Sequence, residues 1–293
     1  MIAHSRAILC VGAAHWDVIG HVAGAVQIGD DLPGRIEHRP GGVALNVALG
    51  LAKQGCAVRL SSVVGDDEAG SSLISHAKAA GIDCTDVVRI EGLATSRYLA
   101  IEDGDGSMIA AVADTTLLDA QAEALPRRLG QAIRGSSALF LEANLPACVM
   151  SELAERATEA GAEIVANPVS PAKALRLRGL LARRHRLTIV ANIEEARALL
   201  REDTRNSEEA ATGLRDAGAR VALVSDGPRA VALATENGEV ALVPEPLTER
   251  FSVTGAGDAL LSAFLACPER HTAPKNALEK ALLAARDQMT MQR

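Results

Sequence analysis

The run "TGAGDALLSAFLA" at 254–266 sets two glycines and an aspartate directly before an apolar stretch. Glycine has no Cβ, so the backbone at Gly255 and Gly257 can turn sharply and approach a ligand closely. The apolar stretch predicts a helix, and the first amides of a helix attract negative charge. We therefore expect Gly255, Ala256 and Gly257 to form an anion pocket, with Asp258 at its edge as a proton acceptor.

This arrangement matches what phosphoryl transfer to a hydroxyl group requires. The amides stabilise charge on the moving phosphoryl group, and the carboxylate orients and deprotonates the attacking hydroxyl. A purely structural interpretation fits the same residues, with the glycines forming a turn and Asp258 lying near a helix N-cap. The run by itself leaves both interpretations open.

The composition favours a small-molecule partner over a polymer. The 293 residues carry a net charge of −7, and only 2% of them are aromatic. A protein that binds nucleic acid usually presents a basic face and stacking aromatic side chains. We therefore expect small substrates and no nucleic acid polymer.

The cysteines and apolar runs predict a cytoplasmic protein without a membrane span. The five cysteines form no CxxC pair, which indicates free thiols in a reducing compartment. The histidines form no HxH or HExxH pattern, so we expect no zinc site. No stretch of about 18 apolar residues occurs, and the short run at 7–13 predicts a first strand rather than a signal peptide.

Alternating strand and helix patterns run through most of the chain and predict a parallel sheet covered by helices. Within that pattern, "AVRLSSVVG" (57–65) predicts one strand, and the basic stretch at 172–186 predicts an amphipathic helix. Two segments, about 15–40 and 92–114, break the alternation. The second has β-rich runs on both sides of "EDGDGS" (102–107), which predicts a hairpin.

Several ordered segments resemble the PfkB family of ribokinase-like carbohydrate and nucleoside kinases. The segments are "VGAAHWD" (11–17), "GGVALNVALGLAKQG" (41–55), "VVGDDEAG" (63–70), "NIEE" (192–195), "VALVSDGPRAV" (221–231) and "VTGAGDAL" (253–260). The resemblance spans most of the chain. It implies one kinase domain over 1–293 with a three-layer α/β/α fold, a mostly parallel central sheet and a small β-sheet lid. The lid would come from about 15–40 and 92–114, and the phosphoryl donor would be ATP.

The resemblance also implies a sugar site. Asp17, at the end of the first strand, and Asn46 would hold hydroxyl groups, with backbone help from Gly41 and Gly42. Short polar side chains suit paired hydroxyls. The alternatives are a strand-end turn for Asp17 and a helix residue that happens to be polar for Asn46.

Two residues of the second lid segment have open roles. By resemblance Asp114 contacts the substrate, but it also fits a helix N-cap ahead of "TTLLDA" (115–120). Tyr98 is one of few aromatic residues. It is expected either near the substrate's base or packed in the core.

Asn192 and Glu195 lie three residues apart directly after a predicted strand, so both fall on one face of the following helix. By resemblance they position the phosphates and Mg²⁺, with Glu195 acting through water because magnesium keeps most of its waters. The same pair also fits a capping box, with Asn192 as N-cap and Glu195 at N3. The two interpretations are compatible.

The nucleotide side of the site is implied at two further places. Ser225, Asp226 and Gly227 would lie beside the nucleotide, with Gly227 in the turn, and Thr254 would join them from the glycine run. Just before Thr254, however, Ser252 stands where the family often has an aspartate linked in some members to a monovalent cation. Potassium activation therefore stays an open question.

Three segments resemble the pseudouridine kinases within this family: 95–119, "EANLP" (142–146) and "NPVSPAKALRL" (167–177). They imply phosphoryl transfer to the 5′ hydroxyl of a ribonucleoside, with pseudouridine as the best candidate. The alternatives are another PfkB-type sugar kinase, acting on ribose, fructose or ketodeoxygluconate, and a non-catalytic nucleoside-binding protein on the same fold. Since the edge strands of an open lid invite pairing, we also expect a homodimer through the lid.

Overall fold

The structure is a computed structural model and describes residues 6–24, 26–27, 29–104, 108–183, 185–247 and 255–291. Short runs rich in Val, Ile, Leu and Ala form its strands. Numbered in chain order, these are β1 (Ala7–Val11), β2 (His15–Val22), β3 (Gly34–Gly41), β4 (Val58–Ser61), β5 (Val63–Gly65), β6 (Val88–Ile90), β7 (Arg97–Glu102), β8 (Met108–Ala113), β9 (Ser136–Glu142), β10 (Glu163–Asn167), β11 (Leu187–Asn192), β12 (Val221–Ser225), β13 (Val231–Thr235) and β14 (Gly238–Leu242).

The helices mostly fall between the strands of the larger sheet. They are α1 (Val43–Lys53), α2 (Glu68–Ala79), α3 (Thr116–Gln121), α4 (Leu125–Arg128), α5 (Gly130–Arg134), α6 (Ala147–Glu159), α7 (Pro171–Ala174), α8 (Arg178–Ala182), α9 (Ile193–Leu200), α10 (Ser207–Asp216), α11 (Ala256–Ala266) and α12 (Pro274–Met291). Within the described residues, none is both long and apolar enough to cross a membrane.

An eight-stranded sheet forms the centre, in the order β14-β13-β12-β11-β10-β9-β1-β4. Its strands run parallel from β4 to β12, and β13 and β14 add an antiparallel edge. Leu9 and Val11 of β1 pack with α6, α8, α9 and α10, whereas Ile8 and Cys10 pack with α1, α11 and α12. Both faces of the sheet are therefore covered, which confirms the predicted three-layer α/β/α fold.

A separate four-stranded sheet has the order β3-β2-β7-β8. It mixes pairings: β2 runs antiparallel to β3 and parallel to β7, and β7 and β8 form the predicted antiparallel pair. All four strands come from the two segments that break the strand–helix alternation, with β3 reaching one residue further, to Gly41. The predicted small sheet is thus confirmed.

Two details of the predicted secondary structure are wrong. The run at 57–65 forms two strands, because the chain leaves the central sheet at Ser62, whose carbonyl accepts the Val88 N–H, and β5 then pairs with β6. The basic stretch is not one helix: α7 is followed by a 3₁₀ turn at Leu175–Leu177 and by α8. Ala174, Leu177 and Leu180 are fully buried at a spacing of three residues, which is the period of a 3₁₀ helix.

Candidate active site

Polar side chains gather where the parallel strands of the central sheet end. Glu142 ends β9 opposite Asn167 of β10, and Asn192 ends β11 opposite Ser225 of β12. In open parallel sheets, ligands bind outside the carboxyl ends of the strands. Helices α1 and α11 supply the residues described next, so the candidate site lies at this edge.

Asp258 and Asn46 are in direct contact. Asn46 Nδ2 donates a 2.9 Å hydrogen bond to Asp258 Oδ2. One turn further along each helix, Gly50 faces Ser262 so closely that a Cβ on Gly50 would lie 2.2 Å from the serine Oγ. The missing side chain at Gly50 thus lets α1 and α11 approach closely enough for the two polar residues to meet.

The carboxyl group of Asp258 has an unusual proton affinity. Burial raises its pKa to about 7, and repulsion from the carboxylates of Glu142, Glu195 and Asp17 acts in the same direction. The hydrogen bond from Asn46 lowers the pKa and so opposes these effects. A carboxyl group that titrates near neutral pH can both accept and release a proton there.

The glycine run forms the start of α11. Gly255 is its N-cap, has a left-handed φ of 78° and is followed by Ala256 and Gly257. Among the residues that the structure describes, which begin at Gly255 on this side, no side chain caps this helix end, and its first N–H groups can bind an anion. These three residues therefore form the start of the helix that carries Asp258, and their role as an anion pocket stays a prediction. Thr254, predicted to join the nucleotide site, lies outside the described residues.

Gly41 and Gly42 sit where the small sheet meets α1, and neither position has room for a side chain. A Cβ on Gly41 would lie 2.2 Å from Asp17 Oδ1, and one on Gly42 would lie 2.3 Å from the Ala13 carbonyl oxygen. Gly42 also has a φ of 98°, which strains any other residue. Both glycines therefore bring the loop after β1 and strand β2 against the start of α1.

The predicted position of Asp17 at the end of the first strand is wrong. Strand β1 ends at Val11, because Gly12, with a φ of 154°, breaks the extended run. Asp17 instead lies within β2, where its buried carboxylate contacts Arg39 Nε at 3.3 Å and His15 Nδ1 at 3.2 Å. It still contributes to the electrostatics of Asp258.

Glu142 is a site residue that the sequence analysis did not identify. Its fully buried carboxylate accepts the Ala13 N–H at 2.6 Å and the Asn144 N–H at 2.8 Å. Burial raises its pKa, while these amides and the charges of Lys173 and His15 lower it. The available signal was a charged residue directly after the apolar run "ALFL" (138–141) of β9.

Asn192 and Glu195 form the capping box that the sequence left as one interpretation. Asn192 Oδ1 accepts the Glu195 N–H at 2.9 Å, and Glu195 Oε2 accepts the Asn192 N–H at 3.0 Å. Glu195 is buried, and burial raises its pKa. Within the described residues, no group of three or more His, Cys, Asp or Glu side chains is arranged to hold a metal ion. A magnesium ion here would depend on water and phosphate ligands.

Ser225, Asp226 and Gly227 form the turn after β12, next to Asn192. Gly227 has a left-handed φ of 55°, as its predicted place in a turn requires. The buried carboxylate of Asp226 is engaged by both the Nε (2.7 Å) and the Nη2 (2.5 Å) of Arg229, three residues later. Asp226 therefore shapes this turn through its ion pair.

Tyr98 and Asp114 line a small cavity of about 30 Å³, which Asp258 does not line. Tyr98 is half-buried and donates its hydroxyl to Met108 Sδ at 3.3 Å, so it is not a core residue. Asp114 is exposed and accepts the Thr116 N–H at 3.0 Å, as a helix cap does. The cavity is also lined by His15, Ser96, Thr115 and Asn144, with apolar walls at Ala13, Ala14 and Leu118.

The matches to known proteins extend over nearly the whole chain. The model of the pfkB family carbohydrate kinases matches residues 5–288. Pseudouridine kinase from Escherichia coli (strain K12) is 28% identical over 266 residues, which cover 89% of this chain and 83% of that protein.

Solved structures share the fold from end to end. A carbohydrate kinase from Agrobacterium tumefaciens is 30% identical with a TM-score of 0.78, covering 96% of this chain and 89% of that one. The ribokinase of Arabidopsis thaliana complexed with ribose and ATP is 17% identical with a TM-score of 0.79, covering 96% and 91%. The fold is therefore ribokinase-like, and the chain belongs to the pfkB family of carbohydrate kinases.

Proposed function

We propose that this protein is an ATP-dependent kinase that phosphorylates the 5′ hydroxyl of a ribonucleoside, with pseudouridine as the best candidate. In this reaction Asp258 takes the proton of the hydroxyl group, the hydroxyl oxygen bonds to the γ-phosphorus, and the bond from that phosphorus to ADP breaks. The amides of Gly255, Ala256 and Gly257 stabilise the charge on the moving phosphoryl group.

One observation carries the proposal: a carboxyl group with a pKa of about 7 stands in the first turn of a helix that no side chain of the described residues caps. A general base works best when its pKa lies near the working pH. The contact with Asn46 fixes the carboxylate, so one oxygen stays directed and the other remains for the substrate. Family membership supports an alcohol-accepting phosphotransferase on independent grounds.

Mg²⁺ fits this site as a partner of the nucleotide. When bound, it would neutralise phosphate charge. The buried carboxylate of Glu195 is oriented by the Asn192 N–H and can hold the hydration shell of the ion. Ser225 and Gly227 lie next to Asn192 across the sheet and would contact the nucleotide.

The preference for a nucleoside over a free sugar rests on similarity to a pseudouridine kinase. Asn46, Asp17 and the glycines before α1 would hold the ribose hydroxyls. The base would then lie towards Tyr98 and Asp114, whose cavity of about 30 Å³ is too small to enclose a ring, so the base would stay outside it. The similarity to a pseudouridine kinase supports this base in particular.

A free-sugar kinase is the second candidate. The residues proposed to hold the ribose hydroxyls could hold a free sugar while the cavity stays unused. The chain is also 30% identical to a protein described as a carbohydrate kinase. Ribose, fructose and 2-keto-3-deoxygluconate are the sugars to test.

The experiment is ATP consumption with Mg²⁺ against pseudouridine, uridine, adenosine and the three sugars. We expect turnover with pseudouridine, and a loss of roughly 10²–10⁴-fold in Asp258→Asn, the range for removal of a general base. Asp287→Asn, on an exposed position of α12, is the matched control and should keep wild-type turnover. Turnover with a free sugar alone would retain the mechanism and reject the nucleoside. Near wild-type turnover in Asp258→Asn would reject Asp258 as the base.

A further inference from the structure

Lys173 of α7 is a half-buried cation without a close counterion. Its ammonium donates a 2.5 Å hydrogen bond to Asn144 Oδ1, in the loop after β9. Among the residues that the structure describes, this is its one hydrogen bond, and no carboxylate lies within ion-pair distance of it. An ammonium has three N–H donors, so two of them remain for a ligand.

The surroundings of this ammonium favour an incoming anion. Burial lowers the pKa of Lys173 and the nearby Arg176 guanidinium acts in the same direction, while the more distant charges of Glu142 and Asp119 raise it. A partly buried cation that lacks a close counterion is unfavourable, and an anion that binds to it removes that cost. Lys173 therefore favours a ligand that brings negative charge.

The strand order places Lys173 between the two halves of the candidate site. Strand β10, which leads into α7, lies between β9 and β11. On the β11 side, α7 packs against α9, whose start holds Asn192 and Glu195. On the β9 side, Lys173 interacts electrostatically with Glu142, and Glu142 does the same with Asp258. The ammonium thus lies between the residues proposed for the nucleotide and the proposed base.

A strained turn between β10 and α7 keeps the helix in this place. Val169 has a left-handed φ of 67°, which is rare for a β-branched residue. Asn167 Oδ1 accepts the Val169 N–H at 2.8 Å, and Asn167 Nδ2 donates to the Val190 carbonyl oxygen at 3.0 Å. The Asn167 carbonyl oxygen also accepts the Ala143 N–H at 3.0 Å. Such strain persists only where the surroundings determine it, and it clusters at functional sites.

The anion that passes between the nucleotide and the acceptor is the γ-phosphoryl group. In the transition state its charge spreads over three equatorial oxygens. Helix α7 packs through Ala174 in the layer of α9 and α10, whereas α11 packs in the opposite layer with α1 and α12. A phosphoryl group at the sheet edge can therefore meet the first amides of α11 on one side and Lys173 on the other.

We propose that Lys173 is a further catalytic residue, which donates to a non-bridging oxygen of the γ-phosphoryl group as it moves from ATP to the acceptor. The proposal rests on the phosphoryl transfer proposed above and holds for a nucleoside or a sugar acceptor alike. Lys173 keeps its proton and contributes charge, while Asp258 takes the proton of the hydroxyl group. Asn144 is a positioning residue, because its Oδ1 fixes the ammonium.

The first experiment compares the kinetics of Lys173→Met and wild type with whichever acceptor wild type phosphorylates. Methionine keeps most of the side-chain volume and removes the charge. We expect kcat to fall about 10²–10³-fold, the range for removal of one donor to developing charge, while KM for the acceptor stays within about threefold. Lys173→Arg keeps the charge and should retain at least about ten times the kcat of Lys173→Met. Lys275→Met, at an exposed position of α12, makes the same charge change and should keep wild-type kcat.

The second measurement separates a catalytic role from a structural one. Calorimetry gives the affinity for ADP in the presence of the acceptor, with and without aluminium fluoride, which mimics the planar phosphoryl group during transfer. Aluminium fluoride should tighten the binding of ADP to wild type. We expect Lys173→Met to bind ADP alone within about threefold of wild type and to lose about tenfold or more of that tightening.

The outcomes also separate this inference from the proposed function. If wild type transfers phosphate and Lys173→Met keeps wild-type kcat, the inference is wrong and the proposed function stands. If Lys173→Met weakens the binding of ADP alone as much as that of ADP with aluminium fluoride, the lysine is structural and the inference is again wrong. If wild type phosphorylates none of the nucleosides and sugars, both proposals are wrong.

Discussion

Asn46 Nδ2 donates a 2.9 Å hydrogen bond to Asp258 Oδ2, and so joins the first turns of α1 and α11 across 212 residues of sequence. This bond has an electrostatic effect as well as a structural one. A donor favours the charged form of a carboxyl group, so Asn46 lowers a pKa that burial raises to about 7. Asn46 therefore helps to keep the proposed base deprotonated.

We expect the pH profile of kcat/KM to show the net effect of burial and of the Asn46 hydrogen bond on the pKa of Asp258. Activity should rise with pH through a limb near 7, because only the deprotonated form of Asp258 accepts a proton. Asn46→Ala removes the donor and should move the limb to higher pH. Initial rates between about pH 5.5 and 9 would test this. A limb that stays in place in the variant would show that the bond does not tune Asp258.

The same carboxyl group should make the fold less stable at alkaline pH. The pKa of Asp258 is raised from 3.8 to about 7 in the folded protein, so its contribution to stability is fully present below 3.8 and is lost as pH rises through about 7. Asp258→Asn carries no such charge. Its thermal midpoint, relative to wild type, should therefore be higher at pH 8 than at pH 5. An equal difference at both pH values would contradict the raised pKa.

We expect a side chain at Gly50 to lower activity only by changing how α1 packs against α11. Gly50→Ala would normally favour a helix by about 1 kcal/mol. Here the new Cβ would lie 2.2 Å from Ser262 Oγ, so α1 and α11 must separate. We expect kcat to fall by roughly tenfold to 10²-fold, since small misplacements of catalytic groups are costly.

The matched control is the double variant Gly50→Ala/Ser262→Gly, which removes the colliding side chain and should recover most of the lost kcat. Wild-type kcat in Gly50→Ala alone would mean that the Asn46–Asp258 contact tolerates helix separation.

The exposed edge of the small sheet predicts a dimer. Strand β8 is an edge strand, and all of its residues, "MIAAVA", are apolar and exposed, with Val112 66% exposed. Such an edge is open to pairing with another strand. We expect wild type to sediment as a dimer and Val112→Lys as a monomer. Leu283→Lys, at a comparably exposed position of α12, is the control and should leave the dimer intact. A monomeric wild-type protein would exclude this pairing.

Much of the fold could be predicted because it depends on local pattern. Short apolar runs such as "ALFL" (138–141) indicate buried strands, and they alternate with runs at helical spacing. The glycines before Asp258 predicted a helix start because their conformational freedom is a local property. The segments at 15–40 and 92–114 were identified because they broke the pattern.

Other features depend on contacts that no local pattern encodes. Glu142 was missed because a carboxylate at a strand end usually faces water, and only the amides of Ala13 and Asn144 make its burial possible. The Asn46–Asp258 contact depends on how closely two distant helices pack. Asp17 was placed on the wrong strand because one glycine, Gly12, ends β1 early.

The short links around the small sheet have a mechanical consequence. Three residues join β1 to β2, Gly42 alone joins β3 to α1, and two residues join β8 to α3. Links this short cannot absorb a displacement of the sheet, so any movement of it must reach the start of α1 and the amide of Asn46. A substrate that draws the sheet down would thereby alter the contact through which Asn46 lowers the pKa of Asp258. Binding of the acceptor molecule and protonation of Asp258 would then be coupled, so each would depend on the other.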